Sequence, residues 1–287
     1  MKSIENLNYQ HKLFPYAYNI LGSADDAFDV IQDVMMHYVA EVEKDIENEN
    51  AYLIKSVINK SINLKNRSKR IGQPSGWLPE PISTDTADGN VKKKEIISYS
   101  MLVLLEHLNP KERAVFILKE AFDYSHEEIG ATLGVTVENS RKLLSRAKAQ
   151  LKLGNQDNQE FRPASTVDVH FLAEYVRHIQ HGDVKSLEKL LSKEISFKAD
   201  GGGRVKIVRE LTSGVLSVME LMMYLYKTYQ YQYTVKTYEV NHQPALLYYH
   251  NGRLVNCQVF ELEKDESTIK HIFSVVDPQK LHHIGHA

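Results

Sequence analysis

Residues 123–151 read D-Y-S-H-E-E-I-G-A-T-L-G-V-T-V-E-N-S-R-K-L-L-S-R-A-K-A-Q-L. The spacing predicts a helix, a tight turn and a second helix. Ser125 is placed to cap the first helix, with Glu128 three residues on as its reciprocal partner. Ile129 and Leu133 share one face at i,i+4. Gly134 permits a turn that a Cβ would resist, and Thr136 is placed to cap the second helix. On that helix Val137, Ser140, Leu144, Ala147 and Leu151 fall on one side. Glu138, Asn139, Lys142 and Arg146 fall on the other, and Thr136, Arg141, Ser145 and Lys148 complete the candidate contact set. Residues 137–152 hold five Lys/Arg and one Glu. A short helix with a small apolar back and a basic, amide-bearing front fits the major groove of DNA. The plainer alternative is a surface helix pair with a solvated basic face. The coincidence of caps, glycine turn and one-sided charge favours DNA.

Working outward, 287 residues are enough for about two domains, or three small ones. The net charge is −2, so a nucleic-acid surface has to be local. The charge is indeed uneven: residues 25–49 hold nine Asp/Glu and one Lys, and residues 55–70 hold six Lys/Arg and no acid. Such segregation implies separate surfaces for separate partners. A single cysteine, Cys257, excludes an internal disulfide framework and fits a reducing compartment. No apolar run has the length of a membrane span, and the N-terminus lacks the apolar core of a secretion signal. The expectation is a soluble, cytoplasmic protein without a membrane partner.

Residues 9–70 read as helical, with a break at Pro15 and another at Gly22-Ser23. Ser23 is placed to cap a helix carrying Ala27, Ile31, Val34 and Tyr38 on one face and an acidic set elsewhere. Asp25 and Asp26 suit the positive end of the helix dipole; Asp29 and Asp33 are not explained that way. A third helix, about Asn50 to Asn66, has the stripe Ile54, Val57, Ile58, Ser61 and Ile62. Its other faces carry Lys55, Asn59, Lys60, Asn63, Lys65 and Arg67, with Tyr52 near the start. Amides among cations beside a tyrosine suit a surface that tracks a phosphate backbone and touches unpaired bases.

Residues 71–90 change character, with three prolines and three glycines, the composition of a linker. Yet they hold W-L-P-E-P at 77–81, with the only tryptophan. A Trp-Leu pair stiffened by prolines reads as a segment that docks at modest entropic cost. Helical signal resumes at about Lys94 and runs to Leu108. Asn109-Pro110 with Glu112 then reads as a capped start, and Arg113 to Phe122 as an apolar support for the opening stretch.

After a second linker the chain differs in kind. Val167 to Leu191 is helical with a break at His181-Gly182-Asp183. Ile195, Phe197 and Ala199 alternate ahead of Gly201-Gly202-Gly203. Gly214 to Tyr229 is helical. Tyr231–Val240, Ala245–Tyr249, Leu254–Leu262 and Thr268–Val276 read as strands, with a hairpin at Asn251-Gly252. The expected fold is α+β, a curled antiparallel sheet in a cone-shaped half-barrel. The glycine run lacks the Lys-Ser/Thr and helix start of a phosphate loop and reads as a turn that permits close backbone approach. His282, His283 and His286 read as a mobile tail rather than metal ligands. No metal or cofactor is expected, and Cys257 is expected to be buried and inert.

The order of these pieces resembles an extracytoplasmic-function sigma factor. The resembling stretches are A-Y-N-I-L-G-S-A-D-D-A-F-D-V-I-Q-D-V (17–34), N-A-Y-L-I-K-S-V-I-N-K-S-I-N (50–63), L-N-P-K-E-R-A-V-F-I-L-K-E-A (108–121) and the stretch quoted first. The C-terminal third is similar to the SnoaL-like domain, of the nuclear-transport-factor-2-like fold, carried by a subgroup. That subgroup has W-L-P-E-P, D-G-G-G-K and N-P-D-K-L motifs. This chain has the first intact, D-G-G-G-R at 200–204 and D-P-Q-K-L at 277–281, so Arg204, Asp277 and Gln279 depart from the pattern.

The resemblance implies five segments: 1–71 (sigma region 2), 72–96 (linker), 97–153 (sigma region 4), 154–166 (linker) and 167–287 (SnoaL-like). It implies core RNA polymerase and promoter DNA as partners. Asp25, Asp29, Gln32, Asp33 and Met36 would face the polymerase. The third helix would handle the downstream element and the opening stretch the upstream one. The SnoaL-like domain would regulate in cis by contacting region 2 and the linker. The residues implied are Trp77, Leu78, Pro79, Glu80, Pro81, Asp200, Gly201, Gly202, Gly203, Asp277, Pro278, Lys280 and Leu281. Two rival readings remain. One is a regulator that senses a small ligand. The other is a SnoaL-like enzyme fused to a DNA-binding module, with Asp200, His242, His271 and Asp277 as available acids and bases, though at no telling spacing.

Overall fold

The computed structural model describes residues 2–40, 46, 48–72, 76–84, 95–154, 169–208, 210–263 and 267–284. Nearly all of the expected second linker, parts of the first (73–75 and 85–94) and His286 lie outside the described residues. The chain divides into two units: Met1–Gln73 with Ala87–Pro163, and Pro74–Thr86 with Ala164–Ala287. Residues 76–84, linker-like in composition but with a docking segment expected at 77–81, therefore fold with the second unit.

The first unit is helical. Helix α1 (Lys2–Leu21) runs through Pro15 without the expected break. An interior proline costs about 3 kcal/mol. Leu13, Ala17, Tyr18 and Ile20 around it are buried, and a large apolar side chain returns roughly 1.5–3 kcal/mol on burial. Helix α2 (Ala24–Ala40) starts as expected, with the Asp26 N–H donating to Ser23 Oγ at 3.1 Å. It buries Ala27, Val30, Ile31 and Val34. Helix α3 (Glu49–Ile71) is capped by Asn48 and outruns its expected span.

Helix α4 (Tyr99–Leu105) is shorter than expected, and Ser98 caps it. Helix α5 (Pro110–Glu120) has the full Asn109–Glu112 capping box, and α6 (His126–Leu133) the Ser125–Glu128 one. Gly134 turns the chain at φ 63° into α7 (Val137–Gly154). The two sets of helices, read as separate modules, pack into one unit. Tyr16 of α1 stacks on Phe122 at 4.0 Å between centroids, and its hydroxyl lies 3.3 Å from that of Tyr124.

The second unit opens with α8 (Val169–His181) and α9 (Val184–Lys189), then β1 (Leu191–Asp200), β2 (Leu211–Ser213) and α10 (Val215–Thr228). Four strands follow: β3 (Thr234–Val240), β4 (Gln243–His250), β5 (Arg253–Leu262) and β6 (Ile269–Val275). Helix α11 (Pro278–Leu281) comes last. The sheet order is β2-β1-β6-β5-β4-β3. The expected antiparallel sheet is mixed, because β1 runs parallel to β6. That junction joins distant parts of the chain through a helix and four strands, and so long a connection leaves direction free.

On one face Ile195, Phe197, Leu246, Tyr248, Phe260 and Ile272 cluster with Leu172 and Tyr175 of α8 and Val218 and Met222 of α10. The β4–β5 hairpin turns at Asn251 (φ 51°) and Gly252 (φ 75°), the primed turn that its Asn-Gly signal predicts. Cys257 is fully buried, and burial pushes its thiol up, which keeps it protonated and unreactive. The last described residues are docked: Leu281 and Ile284 are both buried.

Candidate nucleic-acid interface

Helix α7 is fixed from behind. Ser140, Leu143 and Ala147 are buried, and His126 Nδ1 of α6 meets Ser140 Oγ at 2.9 Å. The Asn139 N–H donates to Thr136 Oγ1 at 3.1 Å, the expected cap. Leu143 belongs to this face and was not on the stripe read from sequence. The front is open: Thr136, Glu138, Asn139, Arg141, Lys142, Ser145, Arg146 and Lys148 are all exposed. Lys142 pairs with Glu138 at 2.6 Å and Lys148 with Glu120 at 2.7 Å. Pairs this exposed are worth less than about 1 kcal/mol, so a phosphate can displace them.

The face expected on α3 is divided. Lys55, Asn63 and Arg67 are exposed, and Tyr52 sits 6.2 Å from the Tyr38 ring. Lys60 pairs with Asp33 of α2 at 2.8 Å, which holds the Asp33 carboxyl below its usual range. Asn59 donates to the Lys55 carbonyl at 2.8 Å and to the Thr132 carbonyl of α6 at 3.0 Å. Lys65 departs outright from the solvent-facing expectation. It lies on the buried stripe with Ile58, Ser61 and Ile62. Its ammonium donates to the Leu21 carbonyl at 2.7 Å and to Glu106 at 2.9 Å. Burial first, then the nearby Arg113, pushes Lys65 down to about 8 against the pull of Glu106.

On α2, Asp25, Asp29, Gln32 and Met36 are exposed and Asp33 is half-buried. Gln10, Gln32, Met35, Met36 and Val39 line an open groove of about 340 Å³.

In the second unit the three expected motifs meet. Asp200 is buried and takes Lys280 Nζ at 2.6 Å, the Leu78 N–H at 2.8 Å and the Gly202 N–H at 2.7 Å. Lys280 also donates to the Leu78 carbonyl at 2.6 Å and lies 4.4 Å from the centre of the Trp77 ring. Pro79, Glu80 and Pro81 are buried behind it. Gly202 (φ 61°) fits where nothing larger would, since a Cβ there would stand 1.9 Å from Asp277 Oδ2. Gly201 and Gly203 flank it in the same turn, and Pro278 starts α11. Asp277 caps α11 through the Gln279 N–H at 3.1 Å and pairs with Arg204 at 3.1 Å.

Sequence reasoning missed the rest of the docking. The Ile82 N–H donates to Asn241 Oδ1 at 3.0 Å, and the Thr84 N–H to the Glu239 carbonyl at 3.2 Å. Nothing at 82–84 signals this in one dimension.

The acids and bases available for catalysis are engaged. Asp200 and Asp277 are used as described, and the His242 imidazole Nδ1 lies 3.7 Å from Glu239 Oε1. His271 lies 2.7 Å from Ser196 Oγ, and burial, with Lys270 adding to it, brings it down to about 4. The cavity between α8 and the sheet, lined by Tyr175, Tyr226, Tyr233 and Tyr248 among others, holds about 30 Å³. That is room for a water or two rather than for a substrate. No described helix is long and apolar enough to cross a membrane.

Residues 99–151, the stretch that holds α4–α6 and most of α7, match the family model for sigma-70, region 4. The chain is similar to extracytoplasmic-function sigma factors. It is 27% identical over 230 residues to the ECF RNA polymerase sigma factor SigJ of Mycobacterium tuberculosis, covering 77% of this chain and 71% of that one. It is 24% identical over 282 residues to the probable ECF RNA polymerase sigma factor SigI of the same species, covering 93% and 91%. The crystal structure of M. tuberculosis SigJ shares the fold, with a TM-score of 0.74 over 98% of both chains at 20% identity. Like that structure, this chain has helical modules followed by a C-terminal α+β unit.

Proposed function

We propose that this chain initiates transcription as a sigma factor of the extracytoplasmic-function type. It binds core RNA polymerase, reads an upstream promoter element with α7 and a downstream one with α3, and is regulated in cis by the SnoaL-like unit. The observation that carries the reading is α7: its back is buried, and every residue chosen from sequence as a DNA contact faces solvent within the region 4 match. The exposed acids of α2, beside the groove with Met36 and Val39, form the polymerase-facing surface. The SnoaL-like unit acts by holding the linker, and contact with region 2 completes the restraint. Its role is binding rather than catalysis, since its buried acids and bases hold structure together. Such a protein works in the cytoplasm, where the polymerase and promoter are.

The test is in vitro transcription with bacterial core polymerase across a promoter library. Lys142→Glu and Arg146→Glu should each abolish upstream-element binding, with folding intact by circular dichroism. In the parent, each phosphate contact should add about 0.9 to the log–log salt slope of binding. Promoter binding that survives both changes removes α7 as the reading helix. Failure of the parent chain to associate with core removes the function.

A further inference from the structure

Tyrosine is spread unevenly along this chain. Residues 224–249 hold eight of its 16 tyrosines, and residues 221–260 hold a single acid, Glu239. Three of these tyrosines stand out from the surface of the second unit: Tyr224 is 49% exposed, Tyr229 44% and Tyr231 63%. Large side chains left in water as a group, rather than singly, mark an interaction surface.

The fold gathers them at one end of the sheet. Tyr224 lies on α10 and Tyr229 just past its last turn, with ring centres 6.4 Å apart. Tyr231 sits in the 3-10 turn that follows, Gln230–Gln232. Tyr233 leads into β3, its ring 5.2 Å from that of His250. Strand β3 is an edge of the sheet. Round that edge, on the face away from Tyr248, Lys236 stands 5.2 Å from the centre of the Tyr249 ring. The same end carries Lys227, in the last turn of α10, and Arg253, opposite His250 in the β4–β5 hairpin. Lys227, Lys236 and Arg253 are exposed, and among the described residues none of them pairs with a carboxylate. Glu239 lies at the far end of β3, where its carboxylate accepts from the Thr84 hydroxyl at 2.7 Å.

Three features decide what this surface fits. The exposed large apolar side chains of residues 221–260 are all tyrosines; a protein interface has a packed apolar core, whereas a nucleobase needs only a ring face. The cavity behind Tyr231 and Tyr233 holds about 30 Å³, so a planar ring lies on the tyrosines rather than behind them. Free cations with almost no acid among them complement a row of phosphates. Bases stack on aromatic side chains whatever their sequence, while neighbouring cations track the backbone.

We propose that this end of the second unit binds a single strand of nucleic acid. Tyr224, Tyr229 and Tyr231 offer the stacking faces, and Lys227, Lys236 and Arg253 the phosphate contacts, as the strand crosses the sheet edge at β3. The site is separate from α3 and α7 and does not depend on the promoter reading. It gives the second unit a ligand of its own.

The test uses the full chain and a short oligo-thymidylate carrying 5-iododeoxyuridine, with an oligo-uridylate carrying 5-iodouridine as the second arm. Light couples the iodinated base to an aromatic ring stacked on it, and mass spectrometry should place crosslinks at Tyr224, Tyr229 or Tyr231. Crosslinks confined to the first unit, or none in either arm, overturn the site. Crosslinks there in either arm support it, and the arm that saturates first tells DNA from RNA.

Titrating the yield at Tyr229 gives the affinity of this site alone. Tyr231→Ala should weaken it about fivefold or more, the loss of one stacked base, and Tyr231→Phe, which keeps the ring, should restore it. Tyr231→Leu keeps apolar area without the ring and should behave as alanine does. A leucine variant that binds like the parent overturns stacking and makes the surface a protein contact. Lys227→Gln and Arg253→Gln should each lower the log–log salt slope at this site by about 0.7; parental slopes in both overturn the phosphate contacts. A parent that neither binds core polymerase nor transcribes with it removes the sigma-factor reading and leaves this site standing.

Discussion

Each unit holds a lysine against a carboxylate in its interior, and the two pairs are balanced differently. In the second unit one cation meets one anion. Asp200 is satisfied by Lys280 and by two backbone N–H groups, and Lys280 also has the Leu78 carbonyl and the Trp77 ring. In the helical unit Glu106 is shared by Lys65 and Arg113, and a guanidinium nitrogen has no acceptor. The first arrangement is a clamp that ties together segments 80 and 122 residues apart. The second places one carboxylate between two buried cations. Buried charge therefore does not have one meaning in this molecule; the count of partners decides it.

The largest expected effect breaks the clamp. Asp200→Ala leaves a buried ammonium and the Leu78 N–H without their acceptor, and should cost about 3–5 kcal/mol. Urea unfolding followed by fluorescence measures this directly, because the chain has one tryptophan and Trp77 sits in the clamp. Glu106→Gln should cost less in the helical unit, because its cations keep the Leu21 and Asn19 carbonyls as partners. Equal costs would erase the contrast.

Next comes the glycine turn beside the clamp. Gly202→Ala meets both a left-handed backbone (φ 61°) and the Asp277 carboxylate, while Gly203→Ala meets a left-handed backbone (φ 71°) and open space. The left-handed conformation alone costs about 1–2 kcal/mol, so Gly203→Ala should lose about that. Gly202→Ala should lose about 1–3 kcal/mol more from overpacking. Equal melting temperatures for the two variants would mean that Asp277 moves aside freely.

What could be read in the sequence follows from the range of each interaction. The caps at Ser23, Asn109, Ser125 and Thr136 are bonds between residues three apart, so their signal is local, and each forms as read. The Asn251-Gly252 hairpin is local in the same way. The motifs 77–81, 200–204 and 277–281 were legible as a set through family resemblance, but that Asp200 bonds the Leu78 N–H was not.

Lys65 was misread for a physical reason. A lysine at the edge of an apolar stripe is solvated unless something covers it, and the cover comes from Glu106, 41 residues away. Pro15 failed as a break because burial on both sides outweighs one lost hydrogen bond. The parallel β1–β6 junction leaves no local mark at all.

The misread lysine yields a pH prediction. Burial holds Lys65 at about 8 in the folded chain, and the unfolded value is about 10.4. Between those values the unfolded chain binds more protons, so the stability from this group rises with pH, at most by about 1.4 kcal/mol per pH unit. Urea unfolding of the parent and of Lys65→Met from about pH 7.5 to 10.5 isolates it. The parent should gain on the variant as pH rises through this window. Parallel curves would show that Lys65 is hydrated in the free chain.

The smallest effect concerns two departures from the subgroup motifs that meet in space. Arg204 stands where the motif has Lys and Asp277 where it has Asn, and the two pair at 3.1 Å. A carboxylate newly buried at the head of α11 gains a partner from the same substitution pattern. Asparagine would cap α11 as well as aspartate does, so the cap does not require the charge. Arg204 is half-exposed, however, and water screens the pair, so a double-mutant cycle with Arg204→Lys and Asp277→Asn should give a coupling of only about 0.5 kcal/mol. A coupling indistinguishable from zero would make the two departures independent. A coupling several times larger would mean that Arg204 belongs to the clamp itself, and that the balanced pair at Asp200 is one part of a longer charge network running from Trp77 to the head of α11.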